Sequence, residues 1–204
     1  MMSQHADSAL VPTCCTQPKS QFWEHVFSQL APLLEGQRDW VTNLSNTTTL
    51  VYNALHSYPG FGDGASSVNW CGFYIDSSLF PTPKIRMDSA ASDPQSRMLL
   101  GPFCGQPACQ FIDTSRENGR GVCVDALLSR RTVLVPDVES YPGHIACDPN
   151  TKSEIVCPLI LRSSGEEVGL GVFDLDCLAQ GGFDDDDKAG LEKIAQLVVD
   201  ACDW

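Results

Sequence analysis

Two apolar runs, Glu154 to Leu161 and Val168 to Leu175, flank Ser163-Ser164-Gly165 near the C-terminal end of the chain. A short glycine-containing turn between two such runs predicts a β-hairpin, whose strands pair antiparallel. The second run ends in Asp174-Leu175-Asp176, and the two-residue period of a strand puts both carboxylates on one face. Further strands are predicted at Val68 to Ile75, rich in aromatic and branched residues, at Met98 to Phe103, at Ala108 to Ile112, and at Thr132 to Val135, where Pro136 stops it. Around them lie helical patterns. Ser20 is positioned to cap a helix carrying Trp23, Val26, Phe27, Leu30, Leu33 and Leu34, with Pro32 late in the run and Gly36 as its stop. A second helix, from about Arg38 to His56, presents Trp40, Leu44, Val51, Ala54 and Leu55 to a core. A short one spans Gly121 to Arg130, and a last one, from about Asp184 to Cys202, places Asp185, Asp186 and Asp187 at the positive end of its dipole. Residues 76 to 97, 113 to 120 and 137 to 152 are polar or Pro/Gly-rich connections, and the last of them carries Cys147.

The 204 residues suit one domain, residues 20 to 204, behind a mobile tail of residues 1 to 19 that mixes polar residues with a Cys14-Cys15 pair. With 26 acids against 13 bases and no basic stripe, the chain is a poor partner for nucleic acid or an anionic membrane. It shows no apolar run long enough to span a bilayer. The first residues lack the basic start and apolar segment of a secretory signal, so a cytoplasmic location is expected. In that reducing compartment the ten cysteines are expected to be free thiols, some of them catalytic, and the sequons at Asn43 and Asn46 are incidental.

Three cysteines stand among small residues and turns: Cys109 after Pro107-Ala108, Cys123 after Gly121-Val122, and Cys147 at the end of Tyr141-Pro-Gly-His-Ile-Ala. Such settings suit thiol chemistry, in which one thiolate attacks and a second thiol condenses with the resulting sulfenic acid. Cys71, Cys157, Cys177 and Cys202 lie on or beside apolar strands or helix faces and are expected to be small buried hydrophobes. Cys104, Cys109, Cys123, Cys147 and His144 include zinc-ligand types, but no CxxC or HxxxH pair is present, which argues against a structural metal. Glu154, Asp174 and Asp176 are candidates for holding an ammonium group or moving a proton, the alternative being a solvated strand end. Trp70 and Tyr74 share a strand face and could wall a pocket or fill a core.

Several segments resemble the GAF-type free methionine-(R)-sulfoxide reductases: NLSN (43 to 46), NWCGFY (69 to 74), GPFCGQPAC (101 to 109), GRGVC (119 to 123), PDV with YPGHIACD (136 to 148), SEIVCPL (153 to 159) and VFDLDC (172 to 177). The similarity runs from about Gly36 to the last helix. It implies an α+β, GAF-like fold: a central antiparallel sheet with the N- and C-terminal helices on one face and a ligand pocket on the other. On that pattern Cys147 looks like the nucleophile, Cys109 the resolving thiol and Cys123 an auxiliary thiol. Cys104 stands where the family usually has Gln and is a second candidate for the auxiliary role. Trp70 and Tyr74 would receive the methyl-sulfoxide end of the substrate, and Glu154, Asp174 and Asp176 would supply polar contacts and a proton. The implied chemistry reduces free methionine-(R)-sulfoxide through a sulfenic acid and an intramolecular disulfide, recycled by a thioredoxin-type reductant. It needs no metal or cofactor, and a homodimer is allowed. A GAF module that binds a small ligand and catalyses nothing is the rival; a zinc-stabilised interaction domain is a third reading.

Overall fold

The computed structural model describes residues 18–61, 64–81, 96–115, 117, 120–145, 147–163 and 165–204. Its helices are α1 (Lys19–Leu34), α2 (Trp40–Ser57), α3 (Val122–Ser129) and α4 (Asp185–Ala201). The strands are β1 (Val68–Asp76), β2 (Arg97–Gly105), β3 (Phe111–Asp113), β4 (Val133–Val135), β5 (Ser153–Ser163) and β6 (Glu166–Cys177). They form one antiparallel sheet in the order β3-β2-β1-β6-β5-β4. No helix among the described residues is long and apolar enough to cross a membrane.

Alternation along the central strands builds two different faces. Cys71, Phe73 and Ile75 of β1, Ile155, Cys157 and Leu159 of β5, and Phe173 and Leu175 of β6 join one core with α1, α2 and α4. Phe73 and Phe173 are register partners there and stack at 4.3 Å between ring centroids. Their neighbours point the other way: Trp70, Tyr74, Val156 and Val172 pack with Val122, Cys123 and Ala126 of α3. The expected separation of a helical face from a pocket face is therefore present, with α2 adding to the helical face and α3 lying on the other.

Local chemistry corrects several boundaries. Ser20 is inside α1 rather than its cap; the cap position is Pro18, whose fixed φ suits a helix entry, and no side chain caps it. Lys19 is thus helical, while the rest of the predicted tail, residues 1–17 with Cys14 and Cys15, lies outside the described residues. At α2 the cap is Asp39, which accepts from the Thr42 N–H. The predicted strand at Ala108 to Ile112 becomes Phe111–Asp113, the residues in register with β2, with the Gln110 carbonyl accepting one further bond from the Leu100 N–H at 3.0 Å. Most of the predicted 76–97 loop falls outside the described residues, but Ser77–Leu79 makes a single 3-10 turn and Arg97 already belongs to β2.

The acidic start of α4 does more than meet a dipole. Asp184 and Asp187 form a reciprocal capping box, and Asp187 turns into the interior. There it accepts from Trp23 Nε1 at 2.9 Å and pairs with the Lys19 ammonium, which also meets Asp184 at 3.0 Å. Gly190 lets the helices close at this point, since a Cβ there would run into the Trp23 ring. Removing Lys19 leaves a buried carboxylate short of its counter-charge. Lys19→Met is expected to lower unfolding free energy by about 2 kcal/mol, read from the urea midpoint. The double variant Lys19→Met with Asp187→Asn should recover part of that loss, and no difference between single and double variants would refute the pairing.

Candidate active site

The pocket face of β1, β5 and β6 carries Tyr74, Glu154, Asp174 and Asp176, and the register sets Glu154 opposite Asp176 and Val156 opposite Asp174. α3 starts beside them because Gly121, at φ +97°, turns the chain into the helix with a conformation side chains resist. That turn carries Cys123 into the wall of the cavity. The loop between β4 and β5 closes the other side with His144, Ile145, Cys147 and Thr151. The cavity, open on one side, measures about 140 Å³.

Cys109 and Cys147 are joined as a disulfide at the cavity edge, with Cα atoms 5.8 Å apart. The Tyr74 hydroxyl donates to the Cys109 carbonyl at 3.1 Å and lies 4.0 Å from the Cys147 sulfur. Burial, followed by the charge of Asp174, raises the pKa of this phenol, so Tyr74 is a proton-bearing group here. Cys147 is solvent-exposed.

Under the disulfide lie three carboxyl groups. Burial and the neighbouring charges of Glu154 and Asp176 push Asp174 well above the usual carboxylate range; burial with the charges of Glu154 and Asp148 does the same to Asp176. Burial also raises Glu154, against the lowering effect of His144, whose Nε2 lies 3.1 Å from Glu154 Oε2. Among the described residues no lysine or arginine forms an ion pair with these three groups. The arrangement can hold a proton at neutral pH and can accept a cationic ligand group.

The residues singled out in the sequence separate into three groups. Cys109, Cys147, Tyr74, Glu154, Asp174 and Asp176 converge on one cavity. Cys123 reaches it too, but from inside a helix and not from an exposed turn: it is buried, donates to Asp174 Oδ2 at 3.5 Å, and has its thiol pushed well up by burial and by Asp174. Trp70 does not line the cavity; it is buried against Tyr74 and Phe103, stacking at 5.7 and 5.8 Å. Cys104 pairs in register with Cys71 and meets Thr49 of α2 at 3.9 Å, which puts it on the helical face. Of the zinc-ligand types noted in the sequence, Cys109, Cys123, Cys147 and His144 line the cavity, with Cys109 and Cys147 joined to each other, and Cys104 lies apart. Asn69, Asp148 and Thr151 were passed over in the sequence. Asn69 Nδ2 donates to Asp148 Oδ2 at 2.9 Å and to Thr151 Oγ1 at 3.1 Å, anchoring the residue next to Cys147. Asn69 and Asp148 had a sequence signal only as members of the NWCGFY and YPGHIACD segments, next to Trp70 and Cys147, and Thr151 had none.

A sheet with helices on one face and a loop-covered cavity on the other defines a GAF domain, and the GAF domain model matches residues 65–201. The free methionine-R-sulfoxide reductase of Saccharomyces cerevisiae is 41% identical over 184 residues, 90% of this chain and 87% of that protein. The Escherichia coli protein of the same name is 32% identical over 180 residues, 88% of each chain. The structure of the Neisseria meningitidis free methionine-R-sulfoxide reductase in complex with its substrate superposes with a TM-score of 0.71 at 30% identity, covering 91% of both chains. This chain belongs to the GAF-domain free methionine-(R)-sulfoxide reductase family.

The carboxyl cluster has a consequence for stability. A carboxyl whose folded pKa lies above its unfolded value stabilises the fold fully below the unfolded value, near 4, and loses that contribution as pH rises through the folded value. The unliganded protein should therefore lose stability as pH rises from about 4 through the raised values of Asp174, Asp176 and Glu154. Asp174→Asn is expected to flatten that decline and to add at least about 1 kcal/mol near pH 8, measured by urea unfolding at several pH values. An unchanged slope would show that Asp174 ionises normally.

Proposed function

We propose that in this reductase Cys147 is the attacking thiol and Cys109 the thiol that resolves it. The observation that carries this assignment is the disulfide between them at the edge of a cavity lined by the carboxyl groups of Glu154, Asp174 and Asp176, the first two of them buried. The Cys147 thiolate attacks the sulfoxide sulfur of free methionine-(R)-sulfoxide while the oxygen takes a proton from the Asp174, Asp176 and Glu154 cluster. That oxygen is transferred to Cys147 as a sulfenic hydroxyl, and methionine leaves, its sulfur reduced by the two electrons that Cys147 has lost. The Cys109 thiol displaces the hydroxyl as water and the disulfide forms. A thioredoxin-type dithiol then returns two electrons and two protons, entering at the exposed Cys147 sulfur in a reducing cytoplasm.

The remaining groups divide the substrate between them. Tyr74, backed by Trp70, faces the reacting sulfoxide, and the carboxyl cluster meets the substrate ammonium. Burial keeps Cys123 protonated, which suits an auxiliary part in recycling better than attack. A sensor without catalysis would have no use for a redox pair on its pocket wall. Cys147→Ser is expected to abolish reduction of free methionine-(R)-sulfoxide. Cys109→Ser should complete one turnover in a rapid-quench assay and then stall with a protein reductant; unimpaired steady-state turnover would remove Cys109 from the resolving role.

Substrate scope follows from the same cluster. Carboxylates buried without a cation favour a ligand that brings an ammonium, and a peptide nitrogen brings none. The enzyme should reduce the free amino acid at least about tenfold faster, in kcat/KM, than its N-acetyl, C-amide form. Equal rates for the two would show that the cluster does not read the amino group.

A further inference from the structure

We propose that the cavity floor is also a binding site for one borderline-soft divalent cation, best matched by Zn2+, held by Cys123, Glu154 and Asp174. The Cys123 sulfur and one oxygen from each carboxylate lie within 4.8 Å of one another. Cys123 is 8% exposed and the two acids 6% each, and they come from α3, β5 and β6, so the packing of the sheet and helix fixes the set. Asp174 offers an independent sign of a missing partner: Oδ2 accepts the Cys123 thiol at 3.5 Å, whereas Oδ1 is buried with no hydrogen-bond partner. A carboxylate oxygen removed from water without a donor is costly, and an entering cation satisfies it. A fourth donor stands beside the set in His144, whose Nε2 touches Glu154 Oε2 at 3.1 Å.

The donor mixture identifies the ion class. An ammonium group is satisfied by carboxylates alone and has no use for a sulfur. One thiol, two carboxylates and an adjacent imidazole are ligand types of zinc, while Mg2+ and Ca2+ take oxygen ligands and gain nothing from Cys123. Binding would release to solvent the Cys123 thiol proton, together with any proton held on the Glu154 and Asp174 carboxyls, with no change of oxidation state. It would also lock up the one thiol of the cavity outside the disulfide. Because the same carboxylates are assigned to the substrate ammonium, metal and substrate exclude one another; this exclusion rests on the proposed substrate placement, and the metal site itself does not.

The test uses full-length protein with the Cys109–Cys147 disulfide formed, so that neither of those sulfurs can ligate. Titration with Co2+ should give a thiolate-to-cobalt charge-transfer band and the d–d spectrum of a tetrahedral site, both erased by Zn2+. Since the chain has other cysteines, the readout is the difference between wild type and Cys123→Ser: the variant should lose that band. Glu154→Gln and Asp174→Asn, which keep the thiol, should bind Co2+ about tenfold or more weakly. Identical spectra and affinities in wild type and all three variants would overturn the site. Excess free methionine-(R)-sulfoxide should displace the cation; if the Cys123-dependent band survives it, the metal site stands and the substrate lies elsewhere.

Discussion

The alternation of β5 and β6 from Glu154 to Leu159 and from Val172 to Asp176 is the constraint on which the molecule depends. One hairpin supplies Ile155, Cys157, Leu159, Phe173 and Leu175 to the helical core and Glu154, Asp174 and Asp176 to the cavity. A one-residue slip would carry three carboxyl groups into the core and five apolar side chains into the pocket. Register is therefore set by the core, and the positions of the acids follow from it. Stability gathered on one face of the sheet supports a concentration of buried acid on the other, where the folded chain alone is at its least stable.

The loop that carries Cys147 is held by contacts on both sides of that residue. His144 meets Glu154 on one side. On the other, Asp148 accepts from Asn69 and from the Asn150 N–H, and the Lys152 N–H donates to the Cys177 carbonyl. Backbone donation from Asn150 is the main reason that Asp148 sits below the usual carboxylate range. Cys147 thus rides at an exposed point between two anchors, each fixed to a strand of the sheet. The sheet thereby fixes both flanks of the loop and, through them, the place of the Cys147 sulfur beside Cys109 and the cavity.

Much of this was legible in the sequence, for identifiable reasons. Patterns of period two and 3.6 placed β1, β5, β6, α2 and α4 because their buried faces are long. The strand at Phe111–Asp113 was drawn too early because so short an edge strand has no period to read, and partners on β2 decide it. Ser20 looked like a cap by residue type, yet Pro18 starts the helix. Asp187 in a run of four aspartates was legible only as a charge at the positive end of the helix dipole, and the meeting of α1 with α4 shows it buried against Lys19 and Trp23. Within the site, resemblance picked out the disulfide partners and the three acids. Local composition set Cys123 both beside a Gly121-Val122 turn and within a short helix from Gly121, and only the packing of that helix on the sheet shows the thiol buried.

A chain with ten cysteines and a disulfide at its cavity faces a hazard, since any thiolate nearby could exchange with that bond. Burial answers it. Desolvation raises the thiols of Cys71 and Cys123 well above their usual range, pushes Cys157 up to about 12, and raises Cys177 and Cys202. Held protonated, these sulfurs are weak nucleophiles at neutral pH. The acids that surround Cys123 add to the effect, so the carboxyl cluster keeps this neighbouring thiol quiet. Selectivity among chemically identical side chains then comes from where the fold leaves water in contact with sulfur, and Cys147, at the tip of its anchored loop, is where the fold exposes one beside the cavity.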